Sequence, residues 1–444
     1  MLDNSGRKFR ILLVAALLAA VAFWLSLSGI TSAQATVNWE DVHQTVDGFG
    51  ASSADFLTGL SQDQADFFFA PTGIGLSILR IQIIPDRATC DAVFKKGSCS
   101  VANGQILDGE LQSAKLAVAR GAIVIATPWS PPGNFKTNGT FNNGGALLPA
   151  HYSDWANEIA QFVVMMAHNG VPIYAVSVQN EPDLSRDYGS CTYTAQQIHD
   201  FVPYLYAALQ SAGVGSTRII IAEQSSWNFD LTTLAMADSK VASDVAIVAA
   251  HAYSGGNRPY PTAGKHLWQT EYGSQGGVFD GSITDGIRCA KMMHGFLSEA
   301  NINAWLWWFL SDMPKQGEGL DNSALTDIHG HIPKRAYITG QSSKFVRPRW
   351  SRIGVTNSGL LEITAFKDEQ DKQFAIVAIN PSRFSVTTKF FLNGFTADTV
   401  IPWITSRRLS LAAQRPVAVS GPKFSYTLPA MSVTTFSGAA GNHD

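Results

Sequence analysis

Charge is scarce in this sequence. Only 15% of the 444 residues are charged, against roughly 25% in an ordinary soluble domain, and the formal net charge at pH 7 is -3. No block of lysine and arginine occurs, so the charge pattern gives no reason to expect a nucleic acid or an anionic membrane as a partner. Hydrophobic residues, by contrast, reach 45%, which is enough to build a sizeable core.

Cysteine is also scarce, and its spacing excludes a common kind of metal site. None of the four cysteines has CxxC-type spacing, so we expect no zinc site, and we expect no other metal or cofactor. In an oxidising compartment four cysteines allow up to two disulfides and three pairings. Cys90 and Cys99 are close enough in sequence to close one loop. Our hypothesis pairs these two and leaves Cys191 with Cys289.

Long apolar runs are confined to the start of the chain. Residues 1–35 are typical of a signal peptide, with basic Arg7, Lys8 and Arg10, an apolar stretch over 11–27 and a small-residue cleavage motif at 33–35. We therefore expect a secreted protein, extracellular or periplasmic, whose mature form has no membrane contact. Because the apolar stretch is nearly long enough to span a bilayer, an uncleaved N-terminal anchor is the alternative.

From about residue 46, short apolar runs alternate with longer amphipathic stretches, a pattern that indicates repeated β–α units. Several runs are continuously apolar, as expected of strands buried on both faces. The predicted strands are 48–51, 76–81, 122–127, 173–178, 218–222, 245–250, 266–270 and 303–309, and the clearest predicted helices are 111–120, 155–168, 195–212 and 285–299.

Eight such strands predict an α/β fold, a (β/α)₈ TIM barrel over residues 46–345. The alternative is an open doubly wound sheet, which requires a glycine-rich phosphate loop after its first strand. The Gly-Phe-Gly-Ala at 48–51 lacks the third glycine of that loop.

After about residue 345 the pattern changes to short alternating segments separated by turn residues, which predicts an attached C-terminal β-sandwich over 346–440. Residues 36–45 look extended and are expected to contribute to it. With no internal repeat or low-complexity linker, we expect the two parts to pack rigidly, and we expect a monomer. The predicted sandwich strands are 361–365, 373–379, 387–392, 399–404 and 432–437.

Two predicted barrel strands end in a glutamate, at the end of the barrel where catalytic residues are found. The fourth strand leads into Asn180 and Glu181, and the seventh leads into Glu271 and Tyr272. Glycoside hydrolysis needs two carboxyl groups, one protonated and one ionised, whose surroundings separate their pKa values. A helix cap or a surface acid would explain either glutamate alone. The matched positions favour a catalytic pair, with Glu181 as the acid/base and Glu271 as the nucleophile.

The sequence around these glutamates resembles glycoside hydrolase family 30, in its Gln-Asn-Glu-Pro-Asp at 179–183 and its Trp-Gln-Thr-Glu at 268–271. Asn-Glu-Pro alone occurs in many retaining barrel hydrolases, but the ordered set of motifs is specific. The resemblance implies a barrel with a β-sandwich and retention of anomeric configuration. Further matching segments are 47–50, 77–81, 126–132, 251–253, 307–308, 334–335, 343–348, 403–406 and 428–430.

By position, the resemblance also implies substrate contacts. Asn180 would hold the sugar 2-hydroxyl, and Arg80 would keep Glu271 anionic, with a purely structural ion pair as the alternative. Trp129 and Trp308 would form the walls and floor of the subsite next to the scissile bond. Trp307, which points the opposite way on the same strand as Trp308, is expected in the core. The remaining matches are His251 and Tyr253, expected to line the pocket near the nucleophile, and Glu223, whose role stays open.

Within the family, the overall resemblance is to bacterial endo-xylanases that act on glucuronoxylan. Those enzymes carry an arginine after the nucleophile strand that pairs with glucuronate, whereas residues 272–285 contain no Arg or Lys here. In 311–322 the single cation is Lys315. We therefore predict an endo-β-1,4-xylanase acting on a xylan-type polysaccharide by double displacement, without a strict glucuronate requirement.

Four other functions remain open at this point. A β-1,6-glucanase or a glucosylceramidase-like hydrolase of the same family would share the glutamate pair and differ in its loops. A non-catalytic sugar-binding barrel is less favoured, because degenerate relatives usually lose one of the two acids. A metal-dependent hydrolase would need a His/Asp cluster at the strand ends, and His251 is the one histidine found there.

Overall fold

A computed structural model of the chain describes residues 33–274, 279–311, 322–327 and 330–441. Most of the predicted signal peptide, residues 1–32, therefore lies outside the described residues, as do 275–278 and 312–321 from the two segments searched above for a glucuronate-binding cation. Within the described ranges no helix is both long and apolar enough to cross a membrane.

Eight parallel strands close into a barrel, with each strand paired to the next and the last paired back to the first. The predicted TIM barrel is thus confirmed. Strand β1 (Ala33–Thr45) precedes the barrel in sequence and belongs to a second sheet. The barrel strands are β2 (Gly48–Ser52), β3 (Ile78–Ile83), β4 (Ile123–Pro128), β5 (Ile173–Ser177), β6 (Arg218–Gln224), β7 (Ile247–Ala250), β8 (His266–Gln269) and β9 (Ala304–Ser311), and β10 (Ala324–Thr326) pairs in parallel with β9 outside the ring.

Helices surround the barrel and bury one face against it. The helix over 195–211 shows the reason in its sequence. Its apolar residues Ile198, Val202, Leu205 and Leu209 recur at helical spacing, and all four are buried. The same helix starts at a capping box formed by Thr194 and Gln197. The described helices are α1 (Gln62–Phe69), α2 (Arg87–Val93), α3 (Asp108–Val118), α4 (Tyr152–His168), α5 (Ala195–Ser211), α6 (Thr233–Ala237), α7 (Ser239–Asp244), α8 (Ile283–Ser298) and α9 (Lys334–Ser343).

The lower part of the barrel interior is filled by apolar side chains, so it is a packed core and not a channel. Ile78, Ile125, Ile220 and Leu306 belong to this buried cluster. Trp268 fills the same layer, and its indole nitrogen donates to Asp47 Oδ2 at 2.6 Å. With the amino-terminal end filled in this way, polar side chains collect at the carboxyl ends of the strands.

Among the described residues the second sheet has ten strands, is mostly antiparallel and encloses its own hydrophobic cluster. The predicted sandwich is therefore present. Strand β1 lies inside the sheet, antiparallel to one neighbour and parallel to the other. It starts at Ala33, so the predicted signal peptide overlaps it by the three residues 33–35. The other strands are β11 (Ser351–Asn357), β12 (Glu362–Asp368), β13 (Gln373–Asn380), β14 (Val386–Asn393), β15 (Thr399–Thr405), β16 (Ala412–Ala413), β17 (Val417–Ala418), β18 (Lys423–Leu428) and β19 (Ser432–Ala439).

One sheet face packs on the barrel. Val377 and Ile379 of β13 and Val433 of β19 belong to the same hydrophobic cluster as the residues of α8 and α9. The contact is also hydrogen-bonded, because Gln341 Nε2 donates to Thr405 Oγ1 at 2.9 Å. The barrel and the second sheet therefore share a continuous interior.

One predicted disulfide is present and the other prediction is wrong. Cys90 and Cys99 are bonded, whereas Cys191 and Cys289 are free and buried. The free cysteines sit in separate surroundings, with Tyr193 beside the first and the charged groups around α8 beside the second. Burial raises the pKa of each of these thiols to about 12, which keeps them protonated.

Candidate active site

The carboxyl ends of the barrel strands surround a cavity of about 850 Å³. Glu181, which follows β5, and Glu271, which follows β8, both line it. One carboxylate oxygen of Glu181 lies within 4.8 Å of one carboxylate oxygen of Glu271. The two strand-end glutamates therefore face each other across a short gap.

Strand alternation explains why reactive side chains collect above the apolar layer. In β3, Ile78 fills the lower barrel, and Arg80 and Gln82 follow on the same side two and four residues later. In β9, Leu306 fills the lower barrel and Trp308 follows it into the cavity. Each of these two strands thus contributes an apolar residue below and a polar or aromatic residue above.

Arg80 is fully buried and contacts residues at the ends of four other barrel strands. Its Nη1 donates to Glu271 Oε2 at 2.6 Å, and its Nη2 donates to Asn180 Oδ1 at 2.6 Å. Its Nε lies 3.3 Å from the Thr127 hydroxyl and 3.3 Å from Glu223 Oε1. A single guanidinium therefore orients an amide and two carboxylates, and its charge favours their ionised forms.

Both oxygens of Glu271 accept hydrogen bonds. Oε2 accepts from Arg80, and Oε1 accepts from the Tyr253 hydroxyl at 2.8 Å. Burial raises the pKa of Glu271, with the charge of Glu181 adding to the rise, while His251, Arg80 and the Tyr253 hydrogen bond oppose it. Donors on both oxygens fix this carboxylate in one orientation.

Glu181 is held differently, through one oxygen. His251 Nδ1 lies 3.1 Å from Glu181 Oε1 and 3.6 Å from Glu271 Oε1. Burial alone would raise the pKa of Glu181, but the hydrogen bond and charge of His251 and the charge of Arg80 bring it below its ordinary value. Burial acts to lower the pKa of His251, and the two carboxylates raise it above its ordinary value.

A third carboxylate, Glu223, lies beneath these two. It is fully buried and accepts from Thr127 Oγ1 at 2.9 Å. Burial acts to raise its pKa, and the charges of Arg80 and His251, together with hydrogen bonds from Ser177 and Thr270, bring it below its ordinary value. The β6 register shifts between Ala222 and Gln224, and Glu223 has a φ of 51°, a left-handed conformation that is rare outside glycine and common at functional sites. Ala222 packs into the outer core, and this irregularity turns Glu223 inward.

Aromatic side chains form one wall of the cavity. The rings of Trp129 and Trp308 are 5.9 Å apart and tilted by 34°. The Arg80 guanidinium lies 4.8 Å from the Trp129 ring centre. Trp307 is buried and packs edge-on against Tyr272 at 5.3 Å. The two neighbouring tryptophans of β9 thus point in opposite directions, as predicted.

The site residues predicted from sequence come together, but two of them do not reach the cavity. Arg80 and His251 are fully buried and lie behind its wall, in contact with the carboxylates. The predicted residues that line the cavity are Trp129, Asn180, Glu181, Tyr253, Glu271 and Trp308.

Other cavity residues were missed. Gln82 could have been predicted, because it follows Arg80 on the inward face of β3. Arg186 and Tyr188 follow Glu181 in a long loop, and no local pattern predicts where such a loop turns. Further lining residues are Asp55, Leu57, Val93, Phe94, Phe141, Leu184, Asp187, Gly189, Ser225 and Ser254.

Glu181, His251 and Glu271 also have the residue types and closeness of a metal site. The donor set does not suit a cation, however. Arg80 is already paired with Glu271 at 2.6 Å, so its positive charge would repel a metal ion at the same carboxylate. We assign no metal role to this cluster.

Comparison with known proteins identifies the family. The model of the glycosyl hydrolase family 30 TIM-barrel domain matches residues 110–274. The chain is 30% identical to the glucuronoxylanase XynC of Bacillus subtilis over 426 residues, which cover 92% of each protein. The chain belongs to glycoside hydrolase family 30.

Solved structures agree with this assignment. The family 30 subfamily 8 xylanase Xyn30A of Clostridium acetobutylicum superposes with a TM-score of 0.80 at 34% identity, covering 92% of this chain and 100% of that one. A putative glucosylceramidase of Caenorhabditis elegans is 25% identical over 269 residues, which cover 54% of this chain and 51% of that protein. This family 30 glycoside hydrolase therefore has xylanase relatives along nearly its whole length and more partial similarity to glucosylceramidases.

Proposed function

We propose that this family 30 enzyme is a secreted, retaining endo-β-1,4-xylanase that acts on xylan without requiring glucuronate. The observation that carries the proposal is the spacing of Glu181 and Glu271, within 4.8 Å. Retaining glycosidases hold their carboxyl groups about 5–5.5 Å apart, whereas inverting enzymes leave about 6.5–9.5 Å for a water molecule. The Cys90–Cys99 disulfide supports an oxidising, extracytoplasmic location.

In the first step, an ionised Glu271 attacks the anomeric carbon as the glycosidic bond breaks. Glu181 gives its proton to the departing oxygen, and the sugar stays bonded to Glu271. The contacts support these roles: Arg80 and Tyr253 aim Glu271 through both of its oxygens, while Glu181 is anchored through one oxygen and opens into the cavity.

In the second step, Glu181 takes a proton from water, and the resulting hydroxide displaces Glu271 from the anomeric carbon with overall retention. Asn180 is oriented by Arg80 at 2.6 Å, which leaves its amide nitrogen available for the sugar 2-hydroxyl. Trp129 and Trp308 offer flat apolar faces to the sugar rings.

The side-chain contacts after Glu271 support an enzyme that does not depend on glucuronate. Arg288 is the first cation after the nucleophile, and its guanidinium donates to the Tyr272 hydroxyl at 2.7 Å and to Asp285 Oδ1 at 2.6 Å. It is not among the described residues that line the cavity. Among the described residues, the cation that lines the cavity is Arg186, which belongs to the loop after Glu181.

Product analysis tests the proposal. Purified enzyme would be incubated with glucuronoxylan, neutral arabinoxylan, β-1,6-glucan and a glucosylceramide analogue, and the products and their initial anomeric configuration would be measured. We expect xylo-oligosaccharides of retained configuration, with similar kcat/KM on the two xylans. An absolute need for glucuronate would reject the substrate claim, and initial products of inverted configuration would reject the mechanism.

The same assay tests the two alternative activities within the family. A glucosylceramidase-like enzyme would release single glucose units, and a β-1,6-glucanase would leave both xylans intact. Substrates would be compared at equal concentrations of cleavable glycosidic bonds, so that differences in chain length do not imitate specificity.

A further inference from the structure

His251 has no place in the two chemical steps above, although it is among the most enclosed side chains of the site. It follows β7, is fully buried and does not line the cavity. Its Nδ1 lies 3.1 Å from Glu181 Oε1 and 3.6 Å from Glu271 Oε1, and its Nε2 lies 4.0 Å from Glu223 Oε1. An imidazole that faces three carboxylates is placed to hold a proton.

We propose that His251 is a positioning residue that stores the acid proton of the empty site and passes it to Glu181 across their hydrogen bond. The inference rests on the proposed function, because it assumes that Glu181 is the acid/base. It assigns His251 a role behind the cavity wall rather than the substrate contact that the sequence predicted.

Proton transfer between these two groups leaves the charge of the buried cluster unchanged. With the proton on His251, the cluster holds an imidazolium, the Arg80 guanidinium and three carboxylates. With the proton on Glu181, it holds a neutral imidazole, the same guanidinium and two carboxylates. Both arrangements have the same net charge, and the transfer to Glu181 replaces a buried ion pair by two neutral groups, so desolvation does not oppose it.

The pKa directions agree with storage on the histidine. Against the effect of burial, the facing carboxylates raise the pKa of His251 above its ordinary value, and His251 in turn holds the pKa of Glu181 below its own. The other charged or titratable groups that face the imidazole are Glu271, Glu223 and Arg80, and Tyr253 packs at its edge with ring centres 6.1 Å apart.

The proton follows a closed cycle. The Nδ1–H bond of the imidazolium breaks as an O–H bond forms on Glu181. Rotation about the terminal side-chain bond of a glutamate is soft, so that O–H can turn toward the glycosidic oxygen and protonate it as the C–O bond breaks. In the second step Glu181 takes a proton from water, and once the product leaves, the proton returns to Nδ1.

The test is the pH profile of kcat/KM in His251→Asn, whose amide nitrogen still donates to Glu181 but does not titrate. Without the stored proton, the acid form of the site depends on Glu181 alone. We therefore expect the alkaline limb of the profile to move to lower pH by about one unit or more. At pH values above that limb, the loss of kcat/KM should be large on xylan. It should be small on an aryl xyloside with an acidic leaving group, because such a leaving group needs no proton.

His294→Asn is the matched control, because His294 is a largely buried histidine of α8 outside the site. The alkaline limb of the pH profile of this variant should match that of the wild type. An unchanged limb in His251→Asn, with or without a uniform fall in kcat, would overturn the proposal and leave a structural role. If His251→Asn does not fold, Glu223→Gln carries the test. It keeps the imidazole and removes the charge 4.0 Å from Nε2, so the same limb should shift in the same direction, and no shift would overturn the proposal.

Failure of this inference is separable from failure of the proposed function. The profiles can be measured on the aryl xyloside as well as on xylan. A wild-type enzyme that cleaves neither would reject the xylanase proposal, whereas a cleaving enzyme with unshifted variants would reject only the role of His251.

Discussion

Arg80 makes contacts that a lysine could not make together. Its two terminal nitrogens reach Glu271 and Asn180, both at 2.6 Å, while its Nε faces Thr127 and Glu223. A guanidinium presents donors in a rigid planar fork, whereas an ammonium is a single point of charge. Glu271 and the amide of Asn180 beside Glu181 are thus fixed by one side chain, and the geometry of the two glutamates depends on it.

Substitution of the two cavity glutamates should separate their roles. We expect Glu271→Gln to abolish turnover on every substrate, because an amide cannot form the glycosyl-enzyme. Glu181→Ala should slow substrates with poor leaving groups by a factor of about 10²–10⁴ and good ones far less, since general acid catalysis matters most when the leaving oxygen is basic. Steady-state kinetics on a series of aryl xylosides would measure both.

The Glu181→Ala series also contains its own check. If Glu181 only held the fold together, its loss would lower the rate on all leaving groups alike and would reduce the melting temperature. A loss independent of leaving group would therefore contradict its role as acid. Glu158→Ala serves as the matched control, because this partly buried glutamate of α4 lies outside the cavity lining.

At the scale of single elements, the barrel strands were predictable because burial on both faces leaves a continuous apolar run. Ile123–Pro128 and Ile173–Ser177 fall within one residue of their predicted limits. The sandwich was predicted less completely, and β11, β16, β17 and β18 were missed. Short strands that are half exposed carry little more pattern than the turns around them.

At the site, too, a residue was predictable where it follows a strand with a regular pattern and was missed where it does not. Glu181 and Glu271 follow regular strands and could be found from sequence. The inward turn of Glu223 depends on a left-handed residue and a register shift in β6, which no periodicity reveals. That His251 lies behind the wall depends on how four strands pack together, and the state of Cys191 and Cys289 depends on distances between separate elements.

The Cys90–Cys99 bond stabilises an element that forms part of the cleft. It ties α2 to the loop that follows, and Val93 and Phe94 at the end of α2 line the cavity. In the double variant Cys90→Ser/Cys99→Ser, we expect the free energy of unfolding to fall by about 2–3 kcal/mol, because the bond closes a short loop. We also expect KM for xylan to rise more than kcat falls, since Glu181 and Glu271, the proposed catalytic pair, follow other elements.

Denaturant unfolding and steady-state kinetics would measure these effects, and a reductant provides the control. Reduced wild-type enzyme should behave like the double variant, and the double variant should not respond to the reductant. A fall in kcat at unchanged KM would show instead that the bond supports the catalytic groups.

At the scale of the whole molecule, β13 explains why the two parts form one folding unit. Its residues alternate between two interiors: Phe374, Ile376 and Ala378 belong to the core of the second sheet, while Val377 and Ile379 belong to the core shared with the barrel. An antiparallel strand with one solvated face would alternate between apolar and polar residues. The nearly continuous apolar run of β13 therefore reflects burial on both faces.

This arrangement predicts a single cooperative unfolding transition. Ile379→Ala, in the shared core, and Ile376→Ala, in the core of the second sheet, should each lower the free energy of unfolding by about 2–5 kcal/mol. Because exposing the shared face would also expose α8 and α9 of the barrel, both variants should shift the whole transition. Calorimetry tests this, since a single transition has equal calorimetric and van't Hoff enthalpies. A second transition that moved in Ile376→Ala while the other stayed fixed would mean that the sheet unfolds independently of the barrel.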